Sequence, residues 1–252
     1  MADIRIKRIK KVSVVQKVIE NLKQYIKETE NELLPTEDKL SKLLGVSILT
    51  IREAVTVLER EGIVSRIQGK GTIINTFVTK LENRIDFGSD IEGCLRKNGY
   101  TVKFKVINFE FRKATSEEIE KLELDSEEEI LVVEKVLYAN EDVAAFYIDR
   151  IPKKRLASLD ITEDLVTPCI FPTIERLCDT KITHDVVHIY TDCANKKLSN
   201  IFNIKIRNPL LKFEVFEYDY ESKILMFNTE YYTNKFIKFT LCRNTNYKFY
   251  DE

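Results

Sequence analysis

No run of apolar residues in this 252-residue chain approaches the length that spans a bilayer, and the N-terminal MADIRIKRIKK interleaves charges with isoleucines where a signal segment would be apolar. The expectation is a cytoplasmic protein with no membrane partner. Histidine is nearly absent. The two, His184 and His188, fall in THDVVHIYTD, which reads as a strand, so they share a face but lie too far apart to grip one ion. Five cysteines, at 94, 169, 178, 193 and 242, are odd in number and contain no Cys-x-x-Cys pair. That suits reduced thiols and argues against a disulfide framework or a metal ligand set. There is also no Gly-rich phosphate loop, no Gly-x-Ser-x-Gly elbow and no carboxylate dyad of recognisable spacing. The run Ser126-Glu127-Glu128-Glu129 reads as a solvated turn. No catalytic residue, metal or cofactor is expected.

Strong net charge is lacking too, but the formal charge of −1 conceals an asymmetry. Residues 1 to 75 hold fourteen Lys and Arg against ten Asp and Glu, and the remainder holds twenty-six against thirty-one. The basic excess lies in the first third, where a polyanion would bind. Its densest cluster is Arg5, Lys7, Arg8, Lys10 and Lys11, which fits an arm laid along a phosphate backbone or a solubilising tail equally well.

What is present is concentrated between Leu34 and Thr72, LPTEDKLSKLLGVSILTIREAVTVLEREGIVSRIQGKGT. Pro35 and Thr36 open a helix of about three turns, Leu40, Leu43 and Leu44 give it an apolar stripe, and Gly45 suits its left-handed end. Ser47 offers a cap to a second helix reaching Glu61, closed by Gly62. The three-residue turn between them forces a sharp crossing. Ile51, Ala54, Val55 and Leu58 share the buried face of the second helix, which leaves Ile48, Leu49, Arg52, Glu53 and Thr56 outward or at the edge, and its outward first turn suits a major groove. Alternation from Ile63 to Ile67, the tip Gln68-Gly69-Lys70-Gly71 and a returning Thr72-Ile73-Ile74 read as a two-stranded wing. Glycines flanking Lys70 let backbone approach a phosphate that the ammonium neutralises. A preceding helix places Val15, Val18, Ile19, Leu22 and Ile26 on one face and completes a three-helix core.

Over Val14 to Ile74 the chain resembles the DNA-binding domain of GntR-type winged-helix transcription regulators, through LPTEDKL, GVS, TIREAV, LEREGIV and QGKGT in order. The resemblance implies contacts to double-stranded operator DNA from Thr36, Lys39, Ser47, Ile48, Leu49, Thr50, Arg52, Gln68, Gly69, Lys70, Gly71 and Thr72. Two positions depart from it, Asp38 and Ile48, where the family usually or often has Arg. Ile48, with Leu49, is expected to favour thymine methyl groups. Asp38 is expected either to accept from a base amino group or to orient Lys39 or Arg52 by pairing with it.

Residues 76 to 84 read as a polar linker, leaving 1 to 75 as the DNA-binding domain and 85 to 252 as a second domain with its own core. Strands are expected at 101–112, 129–139, 142–151, 184–193, 209–221, 223–233 and 235–243, and helices at 89–98, 115–122, around 163–178 and at 194–202. Short turns between the later strands imply antiparallel hairpins, so the fold class is α+β, with helices packed to one side of the sheet. The aromatic cluster of Phe213, Phe216, Tyr218, Tyr220, Tyr231 and Tyr232 reads mostly as sheet packing.

This half resembles the UTRA effector-binding domain of the HutC subfamily, whose fold is similar to chorismate lyase, on FGSDIEGCLRKNGY, VVEKVLYANEDVAAFYIDRIP and TEYYTNKFIKFTL. The resemblance implies a small-molecule effector among Phe87, Lys135, Tyr147 and Glu230. Members that bind phosphorylated amino sugars have Ser at the place of Gly88, Arg at those of Lys135 and Leu137, Glu near Tyr147 and Ser near Pro172. With Lys135 alone kept as a cation, an amino-sugar phosphate is not expected. The reading is a homodimeric, effector-controlled regulator, a repressor. The alternative from another class is a small-molecule enzyme fused to a DNA-binding arm.

Overall fold

Serine and threonine hydroxyls start the first three helices of this computed structural model, which describes residues 13–86, 91–167 and 170–243. Ser13 caps α1 (Val14–Glu28), Thr36 caps α2 (Glu37–Leu44) and Ser47 caps α3 (Ile48–Arg60), each accepting from a backbone N–H of the first turn. Gly45 ends α2 at φ 64°, a left-handed conformation that a side chain would strain. Val18, Ile19, Leu22 and Ile26 of α1 then bury against Leu40 of α2 and Ile51, Ala54, Val55 and Leu58 of α3. The wing follows as β1 (Val64–Ile67) and β2 (Gly71–Ile74), antiparallel with Arg66 opposite Thr72. Residues 32–34 extend it, since Leu34 N–H donates to the Thr72 carbonyl at 2.8 Å and Ile74 N–H to the Glu32 carbonyl at 2.8 Å.

The chain divides into two compact units, Met1–Ser89 with Phe239–Glu252, and Asp90–Lys238. Among the described residues of the C-terminal segment, Thr240 bridges to Arg84, its N–H donating to the Asn83 carbonyl at 3.1 Å and its carbonyl accepting from the Ile85 N–H at 3.0 Å. The strand expected over 235–243 is therefore reduced to that bridge. The expected helix over 163–178 is broken into two short ones.

In the second unit the elements run α4 (Ile91–Lys97), β3 (Val102–Lys113), α5 (Ser116–Lys121), β4 (Glu129–Ala139), β5 (Asp142–Pro152), α6 (Glu163–Val166), α7 (Ile170–Leu177), β6 (His184–Cys193), α8 (Lys196–Phe202), β7 (Pro209–Tyr218) and β8 (Ile224–Tyr232). The strands form one antiparallel sheet in the order β3-β4-β5-β8-β7-β6. Helices cover both faces, which corrects the expectation of one. The cause lies in β4 and β5, whose residues are buried almost without alternation along both strands, so both faces need cover. Leu131, Val133 and Ile151 pack with Val166, Ile174 and Leu177 of α6 and α7. On the opposite face Ile130, Val132 and Phe227 pack with Ile119 and Leu122 at α5, and Val136 and Phe146 with Leu198 and Phe202 of α8.

The α5 face also carries charge, and there each charge is answered. Glu118 accepts from both terminal nitrogens of Arg112 at 2.7 Å, from Arg150 Nε at 2.8 Å and from the Thr115 backbone N–H at 2.9 Å. Burial alone would raise its pKa, but the Arg112 and Thr115 hydrogen bonds outweigh burial and hold it at about 2. Glu214 is held below the usual range against its burial by Lys212 at 2.7 Å and Lys121 at 2.9 Å.

Candidate nucleic-acid interface and ligand-facing sheet

The first turn of α3 presents its apolar residues to solvent, with Ile48 42% and Leu49 63% exposed although the next apolar residue of the helix, Ile51, is fully buried. Exposed aliphatic residues at a capped helix start are fitted to a surface that brings its own apolar groups, as thymine methyls do. Ser47 Oγ accepts from the Thr50 N–H at 3.1 Å and lies 2.8 Å from Thr50 Oγ1. Thr36 Oγ1 similarly accepts from the Lys39 N–H at 3.3 Å. Accepting a cap leaves the Thr36 hydroxyl proton available to a phosphate oxygen.

Arg52 is held in place. Its Nε lies 3.1 Å and a terminal nitrogen 3.0 Å from Glu37 Oε2. Glu37 reaches with its other oxygen to Arg66 of the wing at 3.4 Å, and Arg66 donates to Glu59 at 3.0 Å, to Thr56 at 3.1 Å and to the Arg52 carbonyl at 3.2 Å. Arg66 and Glu37 were not among the expected site residues. A basic residue facing outward from the first wing strand was the available signal. Of the two expectations for Asp38, the pairing with Lys39 or Arg52 is corrected: Asp38 pairs with Lys42 one turn on, at 2.7 Å, and the carboxylate that orients Arg52 is its neighbour Glu37. At the wing tip Gln68, Gly69 and Lys70 are exposed, with Gly69 at φ 80° and Gly71 at φ 95° and nothing within 4 Å of where either Cβ would stand. Conformation, not crowding, requires these two glycines. Thr72 is half-buried beside them.

In the second unit, three of the four expected effector residues fall in one cross-strand row on the α7 face: Lys135 of β4 opposite Tyr147 of β5, Tyr147 opposite Glu230 of β8, and Glu230 opposite Phe213 of β7. Phe87, like Gly88 and the N-terminal basic cluster, lies outside the described residues. Lys135 is not an open cation, however. It is 3% exposed, with Nζ 3.0 Å from Asp149 Oδ2 and 3.5 Å from the Val166 carbonyl. The approach to Asp149 is off the line of a hydrogen bond, so neither carboxylate oxygen accepts one among the described residues.

Asp149, Asn228 and Glu217 share this face and were missed. Asp149 pairs with Asn228 across the ladder, and Glu217 stands opposite Met226, two residues before Asn228. Burial, aided by Asp185, Glu230 and Asp149, raises the Glu217 pKa to about 8. Burial also raises Glu230 to about 7, against a hydrogen bond from Tyr232. Tyr147 and Tyr232 meet edge to face with centroids 6.1 Å apart, and Phe213 and Tyr232 at 5.5 Å. No group of three His, Cys, Asp or Glu side chains among the described residues could hold a metal ion. Both histidines lie on β6, the exposed edge strand, where the His188 ring packs against Phe216 at 5.6 Å. Cys94, Cys178, Cys193 and Cys242 form no disulfide among the described residues, and Cys169 is outside them. No helix among the described residues is long and apolar enough to cross a membrane.

Comparison with known proteins places both halves. Residues 14–74 match the profile of the gntR family of bacterial regulatory proteins, and residues 97–238 match the UTRA domain. The chain is 24% identical over 203 residues to the HTH-type transcriptional repressor NagR of Bacillus subtilis, covering 79% of this chain and 82% of NagR. It is 26% identical over 213 residues to the probable fructoselysine utilization operon transcriptional repressor of Escherichia coli, covering 84% and 85% of the two chains. Among solved structures, that of the possible transcriptional regulator YydK from Bacillus subtilis superposes with a TM-score of 0.75 at 21% identity, covering 91% of this chain and 99% of that one. PhnF of Mycobacterium smegmatis superposes with a TM-score of 0.57 at 19% identity, covering 90% and 99%. At these identities the structural likeness shows the fold.

Proposed function

The chain belongs to the gntR family of bacterial regulatory proteins, with a UTRA domain behind its winged helix, and from that premise we propose that it is a cytoplasmic, homodimeric, one-component repressor whose hold on operator DNA is set by a small metabolite on the α7 face of the sheet. Thr36, Lys39, Ser47 to Thr50, Arg52 and the wing residues Gln68 to Thr72 make the DNA contacts. The observation that carries this is the exposed first turn of α3, where two bare aliphatic side chains stand one turn from an arginine already oriented by Glu37. Such a device has little use on a surface that meets only water. Turnover plays no part in the proposal, and product formed from any bound metabolite would speak for the enzyme alternative.

One winged helix reads few bases, so useful specificity calls for two of them on a pseudo-palindrome. The support for a dimer through the second domain is β6, an edge strand exposing Val186, Ile189 and Tyr190 at 42, 50 and 46%. Bare apolar edges of this kind invite pairing. Sedimentation of the full chain tests it: Ile189→Lys is expected to weaken the dimer, and a wild-type monomer at micromolar concentration would refute it.

Binding curves at several salt concentrations test the DNA assignment. Arg52→Ala is expected to cost about 1–3 kcal/mol and relax discrimination at one position, whereas Lys70→Ala is expected to weaken all sequences alike and reduce the salt slope by about one unit. Unchanged affinity in both variants would remove the assignment.

A further inference from the structure

On the α7 face Asp149, Glu217 and Asn228 each carry a buried oxygen that accepts no hydrogen bond among the described residues, and each oxygen calls for a donor. Asp149, Glu217 and Asn228 are 0, 1 and 3% exposed. Among the described residues no donor bonds Oδ1 of Asp149, Oε1 of Glu217 or Oδ1 of Asn228. Buried acceptors are ordinarily satisfied, because each one left dry forfeits its hydration. Register brings the three together: Asp149 faces Asn228, and Glu217 lies on the next strand, opposite the residue two before Asn228. Glu230 extends the set beyond Asn228, whose amide nitrogen is 3.4 Å from Glu230 Oε1.

The charge of the face points the same way. Lys135 answers Asp149, and Glu217 and Glu230 form no ion pair among the described residues. An arriving anion would hold the protons that burial keeps on Glu217 and Glu230 still more firmly, whereas an arriving cation lets both carboxyl groups ionise against it. Metal does not suit the set, since among the described residues no three His, Cys, Asp or Glu side chains are grouped to hold one. A larger cation with several N–H donors spans what a point ion cannot. Beside the acceptors stand the rings of Tyr147, Tyr232 and Phe213, and aromatic faces stabilise a desolvated ammonium.

We propose that the effector of this face is an organic ammonium ion, a metabolite bearing a protonated amine, whose N–H groups are accepted by Glu217, Asn228 and Asp149 against the Tyr147–Tyr232–Phe213 wall. This rests on the reading of the α7 face as the effector site, and Lys135 serves to neutralise Asp149 and not to bind the ligand.

The test is thermal unfolding of the full chain with methylammonium or putrescine chloride, sodium chloride and sodium phosphate at equal ionic strength. The ammonium probes are expected to raise Tm by about 3 °C at a tenfold excess over Kd, and Glu217→Gln, nearly isosteric, is expected to abolish the rise. Should that variant not fold, Asn228→Leu, close in size and without an acceptor, is expected to reduce the rise. Ammonium salts that behave as sodium chloride does would overturn the proposal. A phosphate-specific rise lost in Lys135→Met would also overturn it while keeping the effector site. A Glu217-dependent rise with magnesium chloride, and none with amines, would replace the amine by a metal. No response to any probe in any variant would remove the effector reading together with this one.

Discussion

The two faces of the second domain's sheet bury similar numbers of charged side chains and treat them in opposite ways. Under α5, Glu118 receives two arginines and a backbone amide, and Glu214 receives two lysines. Under α7, Glu217 and Asn228 each keep an acceptor without a hydrogen bond among the described residues. The difference separates charges that hold the fold from charges kept for something that arrives. A saturated network rigidifies, whereas an unsaturated one costs stability that only a ligand returns.

The largest expected effect falls on the saturated side. Glu118→Ala leaves Arg112 and Arg150 facing each other without their shared carboxylate, and stability is expected to drop by about 3 kcal/mol, the low end for breaking a buried pair because Arg112 is a third exposed. Urea unfolding measures it, and a loss under about 1 kcal/mol would show that the network is ornamental.

On the open side the sign reverses. The folded pKa of Glu217, about 8, stands above its ordinary 4.5, so the native state binds the extra proton. Its stabilising contribution is complete below about 4.5 and is lost as pH rises to about 8. Glu118, depressed to about 2, does the opposite and loses its contribution as pH falls from about 4.5 towards 2. Glu217→Gln is therefore expected to be more stable than wild type at pH above 8 by up to a few kcal/mol, and near neutral in effect at acid pH. Parallel pH–stability curves for the two proteins would break the comparison.

How much of this was legible beforehand differs between the units for a physical reason. Ser47, Gly45 and the Gly69-Lys70-Gly71 tip are local signals, each acting on backbone within a few residues, and the winged helix they announce is where they placed it. The effector face depends on register. Lys135, Tyr147 and Glu230 came from resemblance and do line up, but Asp149 and Asn228 become neighbours only through the pairing of β5 with β8, across some eighty residues of chain. Bulges at Val106/Asn108 and Leu137/Tyr138 shift which side chains share a face. Both-sided cover by helices was lost to a related cause: an apolar run such as that in β4 reads as partial alternation until both faces are seen to be buried.

The same contrast of held and free charge reaches the first unit, with a smaller effect. Glu37 holds Arg52 and Arg66, whereas Lys70 makes no ion pair among the described residues. Glu37→Gln is expected to leave Arg52 charged but loose, weakening operator binding by about 1 kcal/mol, a fraction of the Arg52→Ala loss. Discrimination should fall more than overall affinity, because an arginine reads a base through geometry and attracts phosphate without it. Competition between operator and random DNA tells these apart, and an equal loss on both would mean that Glu37 acts only through charge.

The smallest effect belongs to Asp38. Its pair with Lys42 is exposed on both sides, 63 and 76%, and spans one helical turn, so Asp38→Ala is expected to cost no more than about 0.5 kcal/mol of stability. Removing a carboxylate from a surface that meets phosphates should if anything tighten binding to all sequences slightly, and it should leave base preference unchanged, because Arg52 takes its orientation from Glu37. Ile48→Ala is the matched control. It alters no charge but removes an apolar contact, so it is expected to relax any preference for thymine facing the start of α3. Selection of bound sequences from a random library by the two variants compares them directly. If Asp38→Ala shifts the selected half-site and Ile48→Ala does not, base reading at this edge runs through the carboxylate, and the pairing with Lys42 is broken on DNA.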